Sequence, residues 1–183
     1  TTHGYCVFDT LYGADSALRP QPQMAQGHEV SPDGLTWTIR LRDGLMFHDG
    51  EPVRAKDCVA SIRRWAVRDA FGQVLMGAVA EIVATDDRTI TFRLRRPFPA
   101  LLDALAKPAA SPCFMMPERT ANTPADRPIT DMTGSGPWKF VPGEFNQGSQ
   151  AVYVKNERYI PRSEPANAAT GGKGVSFDRL AHV

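Results

Sequence analysis

The sequence is short of the features that most readily declare a function. Its three cysteines, Cys6, Cys58 and Cys113, stand far apart with no CxxC pair, so the spacing of a zinc site or a thioredoxin-like redox motif is missing. An odd number prevents complete intrachain pairing, and three small buried hydrophobes are the expectation. Neither charge sign is in excess: Lys+Arg 21 against Asp+Glu 20 leaves a formal net charge of +1. The signs are interspersed, which removes the basic stripe that nucleic-acid binding requires. No apolar run approaches the roughly 20 residues of a membrane-spanning helix. Thr1-Thr2-His3-Gly4 has neither the basic start nor the apolar stretch of a signal peptide. No internal repeat is visible.

What is present is ordinary globular usage, 42% hydrophobic and 22% charged over 183 residues, enough for one domain with a real core. Both ends read as cut. Tyr5-Cys6-Val7-Phe8 is apolar almost from the start, and residues 175–183 alternate like a strand awaiting a partner. The expectation is an excised domain.

Apolar positions Val7, Phe8, Leu11 and Tyr12 predict a short amphipathic helix over residues 5–12. Ser31-Pro32-Asp33-Gly34 is a turn signal. After it, Leu35, Trp37, Ile39 and Leu41 alternate with Thr36, Thr38 and Arg40 as a strand does. Residues 55–68 switch to helical spacing, with Val59, Ile62 and Ala66 on one stripe and Arg63, Arg64 and Arg68 facing away. Residues 70–80 predict a second helix, broken near Gly72 or Gly77. A hairpin follows, residues 81–85 and 89–94 around Asp86-Asp87-Arg88. Short helices are expected at residues 100–106 and from Pro117. Strands are expected at 138–141, at 151–155 and at the end, with residues 156–174 as a long irregular connection. The sum is a mixed α/β (α+β) domain.

Several residues invite chemistry. His48-Asp49 beside Glu51 has the residue types of a metal or acid–base cluster. Adjacent positions on a turn do not converge on one point without partners from elsewhere, so scaffold is the reading. Gly134-Ser135-Gly136-Pro137 is glycine-rich but lacks the lysine and helix of a phosphate-binding loop. Small residues there permit close backbone approach.

In order, these blocks resemble the bacterial extracellular solute-binding protein family 5, the oligopeptide- and dipeptide-binding components of ABC transporters. The longest stretch runs from Ser31 to Val59: Ser-Pro-Asp-Gly, the strand ending Leu41-Arg42-Asp43-Gly44, then Phe47-His48-Asp49-Gly50-Glu51-Pro52, then Ala55-Lys56-Asp57-Cys58-Val59 opening a helix. The family's small polar residue before that alanine is Arg54 here, which weakens the expected cap. Phe8-Asp9-Thr10-Leu11, Gly134-Ser135-Gly136-Pro137-Trp138 and Asn156-Glu157-Arg158-Tyr159 match further blocks.

The resemblance implies a periplasmic-binding-protein type II-like fold. Residues 1–183 would be part of the first lobe, with an accessory subdomain over about residues 31–155 and the second lobe absent. It implies a periplasmic or extracellular, membrane-associated, non-enzymatic monomer that closes two lobes on a peptide or other small solute and delivers it to a cognate ABC permease. No cofactor, metal or nucleic acid is implied. It points to the segment Arg68-Asp69-Ala70-Phe71-Gly72-Gln73 as cleft lining. Phe71 would serve as wall or as core, Gln73 as a polar contact, and Arg68 or Asp69 would meet a ligand terminus. The residues preceding the opening helix, Thr1 to Tyr5, are further candidates, Tyr5 first among them. Oligosaccharide, nickel or opine binding on the same scaffold remains open. So does a metal-dependent hydrolase, which requires His28, His48, Asp49 and Glu51 to share one pocket, and so does a purely structural or adaptor domain.

Overall fold

Antiparallel pairing organises the chain, and the computed structural model describes residues 2–182. Thr1, the first of the expected ligand-side residues, and Val183, the end of the expected last strand, lie outside the described residues. Helix α1 (Thr2–Val7) runs into the strands β1 (Asp9–Thr10) and β2 (Tyr12–Ala14). The helix expected over residues 5–12 is therefore displaced and shortened. Val7, Phe8, Leu11 and Tyr12 are all buried, but they are buried by different neighbours. Asp9 and Thr10 pair with Met115 and Phe114, while residues 12–14 pair with β3 (Pro20–Pro22). Long-range pairing overrides a local 3.6-residue pattern.

β4 (Ala25–Val30) and β5 (Thr36–Leu41) form a hairpin over the Ser31–Gly34 turn, where Gly34 takes φ 71°. Trp37, Ile39 and Leu41 are buried, as the alternation predicts. β4 was not legible because Gln26, Gly27, His28 and Glu29 offer no apolar alternation. Helix α2 (Ala55–Arg68) begins as expected. In place of a small polar cap, Asp57 reaches back to accept the Arg54 N–H at 2.8 Å, and its other oxygen accepts from Glu118 N at 2.8 Å.

Only Asp69 separates α2 from α3 (Ala70–Ala78), so the segment expected to line a cleft, residues 68–73, is a one-residue joint between two helices with the first turn of the second. Asp69 leaves helical geometry and accepts the Phe71 and Gly72 N–H groups at 2.9 and 3.0 Å, capping α3. The helix passes through Gly72 and Gly77 without a break. A Cβ on Gly72 would lie 2.7 Å from Ala66 Cα, so glycine here permits close helix packing. β6 (Val79–Asp86) and β7 (Thr89–Leu94) complete a four-stranded sheet in the order β4-β5-β7-β6.

The chain continues through α4 (Leu101–Leu105), β8 (Phe114–Met115) and α5 (Glu118–Ala121). Then β9 (Trp138–Phe140), β10 (Ala151–Lys155) and β11 (Arg179–His182) form a second sheet in the order β11-β10-β9. The terminal strand thus finds its partner in β10. The main core joins one face of the four-stranded sheet (Ile39, Ile90, Phe92) to Cys58, Ile62 and Trp65 of α2. A smaller cluster of Val7, Phe8 and Tyr153 gathers Trp138 and Phe140 around α1.

Phe92 has no exposed surface. Phe92→Ala should therefore lower stability by about 3–5 kcal/mol, against under about 0.5 kcal/mol for Thr38→Ala on the opposite sheet face. The midpoint of urea denaturation reads both.

Candidate functional site

The backbone of residues 134–136 lies directly on the end of α1. A Cβ on Gly134 would fall 1.9 Å from Val7 O, and one on Gly136 would fall 2.6 Å from Cys6 O. Any side chain at either position would force the segment off. Gly136 N–H donates to Val7 O at 2.9 Å. His48 locks the segment from the other side: its backbone N–H donates to Gly134 O, its Nε2 donates to Gly136 O at 3.0 Å, and its Nδ1 accepts the Gly134 N–H at 3.3 Å. Asn156 Nδ2 also donates to Gly136 O at 3.0 Å. These contacts fix where Tyr5, Cys6 and Trp138 stand.

Those three side chains, with Lys173, line a cavity of about 430 Å³. Lys173 Nζ donates to Asp9 Oδ1 at 2.8 Å and sits 5.6 Å from the centre of the Tyr5 ring. Asp9 is buried at 1% exposure and also accepts the Thr10 N–H at 2.9 Å and the Tyr159 hydroxyl at 3.1 Å. Burial, with the Asp9 carboxylate behind it, pushes the Tyr5 hydroxyl above its ordinary range. It remains a neutral donor, here to Pro108 O at 3.1 Å.

A second pocket of about 170 Å³ lies beside the first, lined by Trp65, Arg68, Ser111 and Phe114 among others. Phe114 joins the two, since its ring meets Tyr5 edge-on at 5.0 Å. Between them runs an exposed turn in which Ala110 and Ser111 hold φ of 48° and 73°. Two consecutive non-glycine residues in this region cost on the order of 1–3 kcal/mol each. Three side chains impose the conformation: Tyr5 on Pro108 O, Trp65 Nε1 on Ser111 O at 2.8 Å, and Lys107 paired with Asp69.

Of the expected site residues, the structure brings Tyr5 and Arg68 to these pockets. Arg68 borders the smaller one and donates to Ala125 O at 3.3 Å. The Asp69 carboxylate is turned inward. Burial raises its pKa, but Lys107 and the Gly72 and Phe71 amides outweigh that and hold it below the usual carboxylate range. Phe71 is partly buried against the main core and packs edge-on to Phe98 at 6.4 Å. Gln73 is exposed and donates to Val67 O at 2.9 Å. Sequence reasoning missed Lys173, Phe114 and the left-handed turn, which reach the site through contacts distant along the chain.

The four residues of the hydrolase alternative do not converge. His28 Nδ1 bonds the Tyr12 hydroxyl at 2.8 Å and stacks on Trp37, His48 is held by the glycine segment, and Asp49 pairs with Arg119 at 2.8 Å. Glu51 is exposed, 3.9 Å from Arg54. Among the described residues, no group of three or more His, Cys, Asp or Glu side chains could hold a metal ion.

The family model described as Bacterial extracellular solute-binding proteins, family 5 Middle, matches residues 19–182. The chain belongs to this family. It is 45% identical over 179 residues to the probable peptide ABC transporter periplasmic-binding protein y4tO of Sinorhizobium fredii, covering 98% of this chain and 33% of the relative. It is 28% identical over 165 residues to the glutathione-binding protein GsiB of Escherichia coli, covering 86% of this chain and 30% of that protein. The crystal structure of NikA from Brucella suis in complex with Fe(III)-EDTA superposes with a TM-score of 0.78 at 21% identity, over 97% of this chain and 33% of the other, a likeness of fold. The chain thus spans about a third of the length of the curated relatives it matches. The mixed α/β, periplasmic-binding-protein-type fold implied by the motif resemblance stands for this portion.

Within this family fragment the glycine–histidine lock carries a pH signature. Burial holds the His48 imidazole below its ordinary 6.5, although the Gly136 carbonyl pulls the other way. The folded chain disfavours the protonated ring, because a proton on Nδ1 would evict the Gly134 N–H. His48 therefore contributes stability that is present above pH 6.5 and lost as pH falls through the lower folded value. Between about pH 7 and about pH 5 the Tm should drop, and His48→Gln should flatten the drop.

Proposed function

We propose that this chain is the ligand-facing part of the first lobe of a substrate-binding component of an ABC importer. The proposed solute is a peptide, and the proposed location is the periplasm or, membrane-associated, the extracellular side. The carrying observation is the pair of adjoining pockets bridged by Tyr5 and Phe114 beside an exposed backbone turn. An extended peptide needs roomy recesses for successive side chains and backbone groups to meet its own. The printed name of the 45%-identical relative, a probable peptide ABC transporter periplasmic-binding protein, supports the same solute class.

In this reading Tyr5 and Phe114 form the apolar wall and Arg68 stands at the far pocket as a polar contact. Asp69, Phe71 and Gln73 act one step removed. Asp69 anchors Lys107 under the turn, Phe71 seats α3 on the core, and Gln73 ties α3 to the end of α2. About residues 31–155 would form the core of the accessory subdomain, built on strands β5, β6 and β7, with β4 just before it as the edge strand of the same sheet. The protein acts as a monomer without catalysis or cofactor. A second lobe closes over the solute by hinge motion, and the closed form docks on a membrane permease.

The test is a thermal-shift screen of the full-length protein with di- to hexapeptides, sugars and metal ions. A peptide at 100 times its Kd should stabilise by about 2.7 kcal/mol. Stabilisation by sugars or metals alone rejects the peptide assignment. Phe114→Ala should weaken peptide affinity about tenfold by calorimetric titration.

A further inference from the structure

Two buried acids in this chain are each paired with a lysine, and the two pairs face different surroundings. Lys107 neutralises Asp69 beneath the Ala110–Ser111 turn and lines neither pocket. Lys173 neutralises Asp9 yet forms part of the wall of the larger cavity. Its side chain is 16% exposed, so the lysine is largely withdrawn from solvent. No carboxylate lines that cavity among the described residues, and Lys173 is the sole charged side chain there.

We propose that the Asp9–Lys173 pair is an anion receptor in which Lys173 takes a carboxylate of the bound solute and Asp9 is its positioning residue. The inference rests on the peptide reading above and names the group this lobe recognises. An ammonium carries three donors. One is committed to Asp9 Oδ1 at 2.8 Å, and the Tyr5 ring covers another side at 5.6 Å. Among the described residues its Nζ has no other hydrogen-bond partner, and the side chain lines the cavity.

Asp9 does not cancel this field from the ligand's side. Its negative charge is drawn inward by the Thr10 N–H and the Tyr159 hydroxyl. A solute therefore meets the positive end of the pair first. Holding Lys173 in place beforehand also removes the rotamer entropy that a free lysine would lose on binding. A charge-assisted bond to a carboxylate in such a partly dry recess is worth about a tenfold preference over the neutral amide.

The experiment uses the full-length protein and a random tripeptide pool prepared as free acid and as C-terminal carboxamide, read by thermal shift and competition titration. The wild type should favour the acid pool about tenfold. Lys173→Gln alone strands Asp9 and is at risk of misfolding, so the informative variant is Asp9→Asn with Lys173→Gln, which removes both charges together. Its preference should collapse to about twofold or less, while Lys173→Arg keeps it. Equal binding of the two pools by the wild type overturns the inference and leaves the peptide reading intact. So does an undiminished acid preference in the double variant. A folded double variant that binds neither pool also overturns it, since the pair would then shape the wall and not read the carboxylate. No binding of either pool by the wild type overturns the peptide reading and this inference together.

Discussion

Much of the candidate site depends on one approach of backbone to backbone. Residues 134–136 lie so close to residues 6–7 that neither Gly134 nor Gly136 has room for a Cβ. That contact decides where helix α1 stops and where strand β9 starts, and hence the distance between Tyr5 and Trp138. It satisfies the peptide groups of 134 and 136 without regular secondary structure. Val7 O, the His48 ring and backbone, and Asn156 supply the partners. A buried irregular segment needs such partners, because an orphaned peptide group costs about as much as a lost hydrogen bond. The imidazole matters because neutral His offers one donor and one acceptor, which matches the Gly136 carbonyl and the Gly134 amide.

A second constraint is charge. Asp9 and Asp69 are both buried: Asp9 is held by the Thr10 N–H, the Tyr159 hydroxyl and Lys173, and Asp69 by the Phe71 and Gly72 N–H groups and Lys107. Such pairs contribute little net stability compared with apolar replacements, but removing one partner is costly. Their value is positional. Asp69 turns α2 into α3 and ties down the strained turn through Lys107. Asp9 sets Lys173 at the cavity. The rings of Tyr5, Phe114 and Trp65 stand on a wall whose backbone is clamped at several points, so its surface is organised in advance.

The elements legible from the sequence are those whose stabilising contacts are local. The Ser31–Gly34 turn, the alternation through β5, the amphipathic face of α2 and the β6–β7 hairpin each carry their own pattern, and each formed with bounds within a residue or two of expectation. The failures have a common cause. Residues 5–12 have helical spacing, yet β1 is captured by residues 114–115 and β2 by residues 20–22. β4 is a polar edge strand, recognisable through its pairing with β5 and not through its own residues. Gly72 read as a breaker but serves as a contact point between helices.

Of the candidate site, the sequence by itself determined the family blocks and the need for small residues at 134–136. Those follow from chemistry carried by contiguous stretches. Only the tertiary structure decided that Asp69, Phe71 and Gln73 have partners of their own, that His28, His48, Asp49 and Glu51 stay apart, and that Lys173 and Phe114 stand beside Tyr5. The physical reason is that burial and ion pairing are properties of neighbours in space. Lys173 is 164 residues from Asp9 along the chain, and no periodicity or spacing in the intervening sequence records that the two meet.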